Sequence, residues 1–373
     1  MRNKFILQIA LALALTMALG APAAMGQIVY GQPGWGAGNV VYTHWSLDTD
    51  STSATLSQVY VPVSGFVPIQ DNFEMQFYVG TESNTLDFSS ASNSVSGMTD
   101  VRLQANHSFM DDQLLFSGGL NLPTGKRELD PLTEQPIIEA LSRDFLDFPV
   151  RRFGEGFGFN VLASAAKLFG DVRAGASVGF RMVGEYTPYE GTGKYNPGDQ
   201  FTVDVRAEIP TEQVTYLFGA GVVTYTKDQV EGVDIFQQGR QLNFYGSANY
   251  DADNYGFGGS VSYLVRGNNK FYVASNIVLR EQQLFGNELA VRGHADFKVG
   301  EKWDLRPHAH LRSIAASDLE ESATVFGLGT DVGRELSDRV KFGVGLTYYT
   351  GNANGGDIDL SGVQLSGGLS ASF

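Results

Sequence analysis

The amino-acid sequence predicts a transmembrane antiparallel up-and-down β-barrel of about 14–16 strands, with short periplasmic turns and longer external loops, one of which contains a short helix. Three observations predict this fold class. Apolar and polar residues alternate along many segments of strand length, the first residues have the pattern of an export signal, and the last strand ends on an aromatic residue.

The N-terminus resembles a cleavable export signal. Arg2 and Lys4 precede an apolar stretch, and the small residues within 24–26 suit cleavage after residue 26. The apolar stretch is about 14 residues long, whereas a spanning helix needs roughly 20. We therefore expect a signal peptide at 1–26, followed by one barrel domain at 27–373 and no second domain.

The composition suits many short strands and excludes several kinds of site. The chain has 45 glycines, 12% aromatic residues and no cysteine, so it has no disulfide, thiolate metal site or cysteine nucleophile. Its formal net charge of −15 argues against nucleic acid as a partner. We expect the partners to be outer-membrane lipid, the barrel-assembly machinery and a small-molecule solute.

Alternation with a period of two is the main evidence for the barrel, since it is the period of a strand with two different faces. In 303–312 one face is ionisable and the other apolar, and 288–299, 201–209 and 100–109 behave similarly. A soluble sandwich also alternates, but the number and length of the segments and the export signal favour a barrel with a polar lumen. The candidate lumen-lining residues are Asp100, Arg102, Asp204, Arg206, Glu208, Arg292, His294, Asp296, Lys298, Asp304, Arg306, His308, His310 and Arg312.

The number of candidate strands is odd, whereas single-chain bacterial barrels have an even number. Either segment 36–47 does not span, or one segment around 228–269 is misassigned. The pattern counts 269–281 as a spanning strand. We expect the tight connections, such as 110–112, at the periplasmic side, and 82–96, 122–155 and 187–198 outside.

The last strand resembles the signal that outer-membrane barrels present to the barrel-assembly machinery. Ser366, Gly368 and Phe373 match its polar, glycine and terminal aromatic positions, while Ala371 departs from the larger apolar residue usual there. The resemblance implies assembly in the outer membrane of a Gram-negative-type cell.

The charged segments 288–299 and 303–312 form the sharpest candidate site. A turn near Glu301 predicts four cross-strand pairs: Lys298–Asp304, Asp296–Arg306, His294–His308 and Arg292–His310. These pairs suit either a pore wall that orients polar solutes or a salt-bridged lining of a narrow barrel. The histidines can also ligate a metal, but no third ligand is identified, and we expect no metal or other cofactor.

The connection 122–155 contains a predicted short helix. Pro136 suits the first turn, and Ile137, Ile138, Leu141 and Phe145 recur on one face. This apolar face suits a lid folded over or into the barrel. It also suits an external helix packed against neighbouring loops.

Two short segments resemble a known family. Gly97-Met98-Thr99-Asp100-Val101 opens one strand, and the next strand runs into Leu122-Pro123-Thr124-Gly125-Lys126. This pattern resembles the outer-membrane transporter family named for the meta-pathway of phenol degradation and, more distantly, the long-chain fatty-acid porins. The resemblance implies movement of small, often hydrophobic or aromatic compounds.

Two functions follow as expectations. The first is an outer-membrane channel for small molecules, passive or gated by 122–155. The alternative is a closed structural or surface-interaction barrel without solute flux. We expect no enzymatic activity, because no group of residues has the local pattern of a nucleophile elbow. Catalysis at the outer rim, by residues that are not adjacent in the sequence, is the third hypothesis. The sequence leaves the solute and the oligomeric state open.

Overall fold

The computed structural model describes residues 33–88, 91–273 and 277–373, so the predicted signal peptide and its cleavage site lie outside the described residues. Within these ranges the chain forms one short α-helix, α1 (Gln135–Leu141), two 3₁₀ turns (Asp144–Leu146 and Asn354–Gly356) and many antiparallel strands. None of the helices in these ranges is long and apolar enough to cross a membrane. The strands are β1 (Trp35–Asp48), β2 (Ser53–Gln70), β3 (Phe73–Phe88), β4 (Ala91–Met98), β5 (Val101–Phe109), β6 (Leu114–Leu122), β7 (Gly158–Phe169), β8 (Val172–Val183), β9 (Tyr195–Asn196), β10 (Gln200–Pro210), β11 (Val214–Tyr225), β12 (Lys227–Val230), β13 (Val233–Gln237), β14 (Gln241–Asp251), β15 (Tyr255–Arg266), β16 (Asn269–Val273), β17 (Ile277–Gln282), β18 (Glu288–Val299), β19 (Trp303–Ile314), β20 (Ala323–Ser337), β21 (Val340–Ala353) and β22 (Ile358–Ser372).

The main sheet closes on itself, which confirms the predicted antiparallel barrel. Each strand pairs with its neighbour in the chain, and β1 completes the circle by pairing with β22 over the whole of its length. β4 and β5 both pair with β3, on successive segments, and therefore count as one interrupted strand. The barrel has 16 strands. Because this number is even, the first strand begins and the last strand ends at the same edge of the barrel.

The odd number of candidate strands came from one wrong assignment. Segment 36–47 does belong to a barrel strand, β1, whereas 269–281 does not span. Its described residues form β16 and β17 in a separate five-stranded sheet with β9, β12 and β13. The misreading has a physical cause: alternation marks any strand with two unlike faces, whether it lies in the barrel wall or in a loop.

The two ends of the barrel differ as predicted for short turns and long loops. Met110, Asp111 and Asp112 have φ angles of 53°, 53° and 64°, and these left-handed residues reverse the chain tightly between β5 and β6. By strand order, this turn lies at the end where β1 begins and β22 ends. Segment 82–96, expected as a loop, instead extends the wall as the hairpin of β3 and β4.

The outward face of the barrel is apolar. Val203 and Val205 on β10 and Phe326 and Leu328 on β20 are about half exposed, while their sequence neighbours point inward. Arg334, which lies on the same face of β20 as Phe326 and Leu328, lies over the ring of its cross-strand partner Trp303 at 4.9 Å. Apolar side chains facing outward and an aromatic–cationic contact near one edge suit a lipid environment.

Candidate functional site

The connection between β6 and β7, residues 123–157, folds into the barrel and crosses its lumen. Its helix α1 contacts β2, β3 and β4, whereas its 3₁₀ turn contacts β19 and β20 on another part of the wall. Ile137, Ile138 and Leu141 are buried on one face of α1. Phe145, in the 3₁₀ turn, is partly buried and packs against the apolar cluster to which these three residues belong. Of the two predicted positions for this helix, the structure has the one inside the barrel mouth.

The helix lies on an apolar part of the lumen wall. Trp45 on β1 and Leu56 on β2 have no exposed surface, and they face the lumen together with Tyr349 on β21. The rings of Trp45 and Tyr349 are 5.0 Å apart, and His310 is 5.2 Å from Tyr349. The full apolar cluster consists of Trp45, Leu56, Leu86, Val95, Leu129, Ile137, Ile138, Leu141, Leu146, Phe148, Phe153, Ala323, Val325, Tyr349, Ala353 and Leu360. The hydrophobic effect therefore holds the loop against β1–β4 and β20–β22.

Ion pairs attach the far side of the loop to the opposite wall. Asp144 accepts from Arg266 of β15 at 2.9 Å, and Asp147 pairs with Arg312 of β19 at 3.0 Å. Glu288 of β18 lies between the two arginines, at 3.0 Å from Arg266 and 3.1 Å from Arg312. These arginine side chains are only 11% and 14% exposed. The carboxylates of Asp144 and Asp147 are 24% and 40% exposed, so water partly screens both pairs. Loss of either carboxylate would leave a largely buried guanidinium with Glu288 as its remaining charged partner.

A buried amide holds the returning part of the loop. The side chain of Gln58 donates to the backbone oxygen of Val150 at 2.7 Å and accepts from its N–H at 3.2 Å. The same amide nitrogen lies 2.9 Å from Glu82 and 2.8 Å from Asn84, both of which are buried in the lumen wall. The amide thus serves as a backbone substitute and satisfies polar groups that the loop would otherwise bury unpaired.

The two motifs behind the family resemblance meet at the ends of this loop. Val101 N–H donates to the Thr124 hydroxyl at 2.9 Å, and Lys126 N–H donates to the Met98 carbonyl at 3.2 Å. The carboxylate of Asp100 lies between them and accepts from Gly125 N–H at 2.8 Å. The Leu-Pro-Thr-Gly turn is therefore the point where the chain leaves the wall and enters the lumen.

The charged ladder has the predicted register. Arg292 lies opposite His310, His294 opposite His308 and Lys298 opposite Asp304. The remaining predicted pair, Asp296 and Arg306, forms an ion pair. His308 also lies 3.4 Å from Asp331 of β20, which adds a third strand to the ladder. The ladder thus contains both positive and negative side chains, and most of them lie next to a side chain of opposite charge.

The other candidate lumen residues lie on two different parts of the wall. On β10, Asp204 accepts from the Tyr245 hydroxyl at 3.0 Å and Glu208 pairs with Arg173 at 2.6 Å. On β5, Arg102 lies 6.0 Å from the Tyr78 ring, whereas Asp100 is 4% exposed and lies beneath the loop. Arg206 and Arg292 have no ion-pair partner within the ranges that the structure describes.

A second polar group lies on the loops outside the barrel. The Tyr186 hydroxyl is 2.7 Å from Arg152, and Glu155 pairs with Arg181 at 2.9 Å. Burial raises the pKa of Tyr186 to about 12, although the neighbouring guanidinium opposes the shift. Tyr195 donates to Asp228, and burial raises the pKa of that carboxyl above its ordinary value. These contacts join the β7 and β8 side of the loop to the external sheet.

The residues of the predicted assembly signal lie on the closing strand. Ser366 pairs with Val41 and Gly368 with Asn39 across the β22–β1 seam. Phe373 is exposed, and its N–H donates to the Gly34 carbonyl at 2.8 Å. Recognition by assembly machinery stays a prediction. Among the described residues, no three side chains of His, Asp or Glu are grouped to hold a metal ion.

Comparison with known proteins gives likenesses of fold. No family model matches the chain, and no curated protein matches it. Among solved structures, it is similar to the CymD monoaromatic hydrocarbon channel, with 9% identity, 92% of this chain and 89% of that chain covered, and a TM-score of 0.42. It is also similar to OccK5 of Pseudomonas aeruginosa, with 10% identity, coverage of 91% and 99%, and a TM-score of 0.46. OprB of Pseudomonas putida has 8% identity, coverage of 91% and 94%, and a TM-score of 0.48.

Proposed function

We propose that this protein is an outer-membrane channel for small molecules, in which residues 123–157 form the constriction. One observation carries the proposal: the loop lies inside the barrel and reaches both sides of its wall, with α1 on β2–β4, the 3₁₀ turn on β19–β20 and the carboxylate of Asp144 on Arg266 of β15. A solute that enters the barrel from the loop side must therefore pass this segment or displace it.

The barrel's outward and inward faces support a place in a membrane. Outward residues such as Val203, Val205 and Leu328 are apolar and exposed, which suits contact with outer-membrane lipid. The predicted export and assembly signals agree with a route through the periplasm and the barrel-assembly machinery. The proposed activity is passive or gated transport, with no chemical step.

The wall that the loop covers would suit a solute with an aromatic or apolar part once the loop is displaced, because the loop now buries Trp45 and Tyr349. Trp45, Tyr349 and His310 form a row of rings on the wall, while Arg292 lies directly opposite His310 and has no ion-pair partner among the described residues. Rings favour contact with another flat apolar group, and a free guanidinium favours a partial or full negative charge. This arrangement agrees with the solute class implied by the family resemblance.

Conductance of purified, refolded protein in planar bilayers tests the proposal. The wild type is compared with a variant lacking residues 131–148 and with a control shortened at the external β12–β13 hairpin. We expect discrete channels that widen in the first variant only. Equal conductance in all three would leave a pore but remove the constriction. Silence from all three, with heat-modifiable migration showing folded barrels, would refute the channel.

A closed barrel with a surface role is the second candidate, and the external sheet favours it. Its edge strand β17 exposes Ile277 and Leu279 at 65% and 70%, and Val233 on β13 is 45% exposed. Exposed apolar edge strands are available for pairing with another chain. Silent bilayers together with normal folding would point to this candidate.

A further inference from the structure

We propose that Asp100 is the positioning residue of the constriction: its carboxylate holds both ends of the inward loop, so that the loop is fixed at its roots. The role of Asp100 in a constriction rests on the proposed channel function, whereas its contacts with the loop do not depend on that function. Asp100 lies in the two-residue break between β4 and β5 and is 4% exposed.

The carboxylate contacts the start and the end of the loop at once. Oδ1 accepts from Gly125 N–H at 2.8 Å, two residues into the loop. Oδ2 accepts from Glu155 N–H at 2.8 Å, just before the chain returns to the wall, and from the Asn121 amide at 2.6 Å. The Asp100 N–H also donates to the Phe153 carbonyl at 3.2 Å. Hydrogen bonds to a buried carboxylate are stronger than those between neutral groups, and loss of the acceptor leaves several donors unpaired.

Two glycines allow the close approach that these bonds need. A Cβ on Gly125 would lie 2.7 Å from the Phe153 carbonyl oxygen and 2.9 Å from both Asp100 N and Oδ1. A Cβ on Gly154 would lie 2.9 Å from the Gly125 carbonyl carbon and 3.1 Å from Asp100 Oδ1. The Thr-Gly pair of the turn therefore has a physical reason: the glycine lets the loop's two ends meet at one carboxylate.

The lumen beneath the loop provides a reporter that is independent of solute flux. The chain contains no cysteine, so Ala323→Cys introduces a single thiol. Ala323 is 3% exposed in the apolar cluster under the loop. Labelling of this thiol by a water-soluble maleimide measures how often the loop leaves the wall.

The test compares labelling rates of Asp100→Ala, Asp100→Asn and Gly125→Ala in the Ala323→Cys background. We expect each to raise the rate at least roughly tenfold, because local opening follows the lost hydrogen bonds. Asp100→Asn should not restore the wild-type labelling rate. The amide nitrogen of asparagine is itself a donor, so it cannot accept the hydrogen bonds that one carboxylate oxygen accepts. Gly118→Ala is the matched control, because a Cβ there meets nothing within 4 Å.

Each outcome decides the question. Unchanged labelling in Asp100→Ala and Gly125→Ala, with folded barrels, would overturn the proposal, and so would wild-type behaviour of Asp100→Asn. Faster labelling combined with silent bilayers for every variant would keep the positioning role and refute the channel. In the variant lacking residues 131–148, Asp100→Ala should leave conductance unchanged, because there is no constriction left to position.

Discussion

Truncation of Leu141 should release the loop without unfolding the barrel. Leu141, the last residue of α1, has no exposed surface and belongs to the apolar cluster between the loop and the lumen wall. Leu→Ala at a fully buried site costs about 3–5 kcal/mol, the sum of lost transfer energy and a cavity. The loop can relax more than a closed core, so we expect about 3 kcal/mol. This value corresponds to roughly a hundredfold increase in the open population.

Hydrogen exchange of α1 measures this population directly. The Ser142 N–H donates to the Ile138 carbonyl at 3.0 Å and the Ile138 N–H to the Glu134 carbonyl at 3.2 Å, so both amides are protected only while the helix is folded. Their exchange should accelerate roughly a hundredfold in Leu141→Ala. Amides of the barrel strands should keep wild-type rates, because the 16-stranded wall does not depend on the loop for closure.

Leu132→Ala is the matched control on the same loop. Leu132 is 82% exposed, so the same chemical change removes almost no buried surface, and exchange should stay within about twofold of the wild type. Equal exchange in the two variants would refute the reasoning, since it would mean that burial of the apolar helix face does not hold the loop. Accelerated exchange throughout the barrel would refute the separation of loop from wall.

Three further perturbations test other contacts. Arg312→Met should widen channels or increase their current noise, because it removes the bonds by which β19 holds Asp147 and the Asp144 carbonyl of the loop; unchanged traces would contradict this. Tyr186 should titrate near pH 12, seen as the difference in ultraviolet absorbance between the wild type and Tyr186→Phe. Its folded pKa exceeds the ordinary value of 10, so its contribution to stability is complete below pH 10 and is lost as the pH rises towards about 12. A step near pH 10 would contradict its burial. Gly329→Ala should lower barrel stability by about 1–3 kcal/mol in urea unfolding, because its Cβ would lie 2.6 Å from the Leu346 carbonyl oxygen; Gly118→Ala should not.

The barrel and the ladder were predictable because both follow from a local rule. Inward and outward residues alternate strictly along β18 and β19, and a tight turn of Gly300 with a φ of 65° fixes the register. Four cross-strand pairs could therefore be named from spacing alone. The same rule failed for 269–281, because β16 and β17 alternate in a loop sheet that has no seam with the barrel.

The contacts that place the loop were not predictable from spacing. Gln58 and Val150 are 92 residues apart, and Asp144 and Arg266 are 122 apart, so no local period relates them. The polar face of its strand predicts Asp100 in the lumen lining, but the spacing does not predict the contacts that Asp100 makes. Its burial comes from two loop ends that arrive there from positions 125 and 155.

One feature of the sequence indicates a filled lumen: on some strands the inner face is apolar where the alternation of the barrel requires polar residues. A water-filled barrel needs polar residues on its inner face, yet the inner face near the loop end of β1, β2 and β3 carries Trp45, Leu56 and Leu86. Inward apolar residues cost free energy in contact with water, so this part of the lumen must be covered by other apolar residues. Ile137 and Leu141 form the apolar face of a loop helix that has no other partner, and the two apolar surfaces satisfy each other. The inner face of β10 stays polar over its whole length, as expected for a wall that the loop leaves open to water.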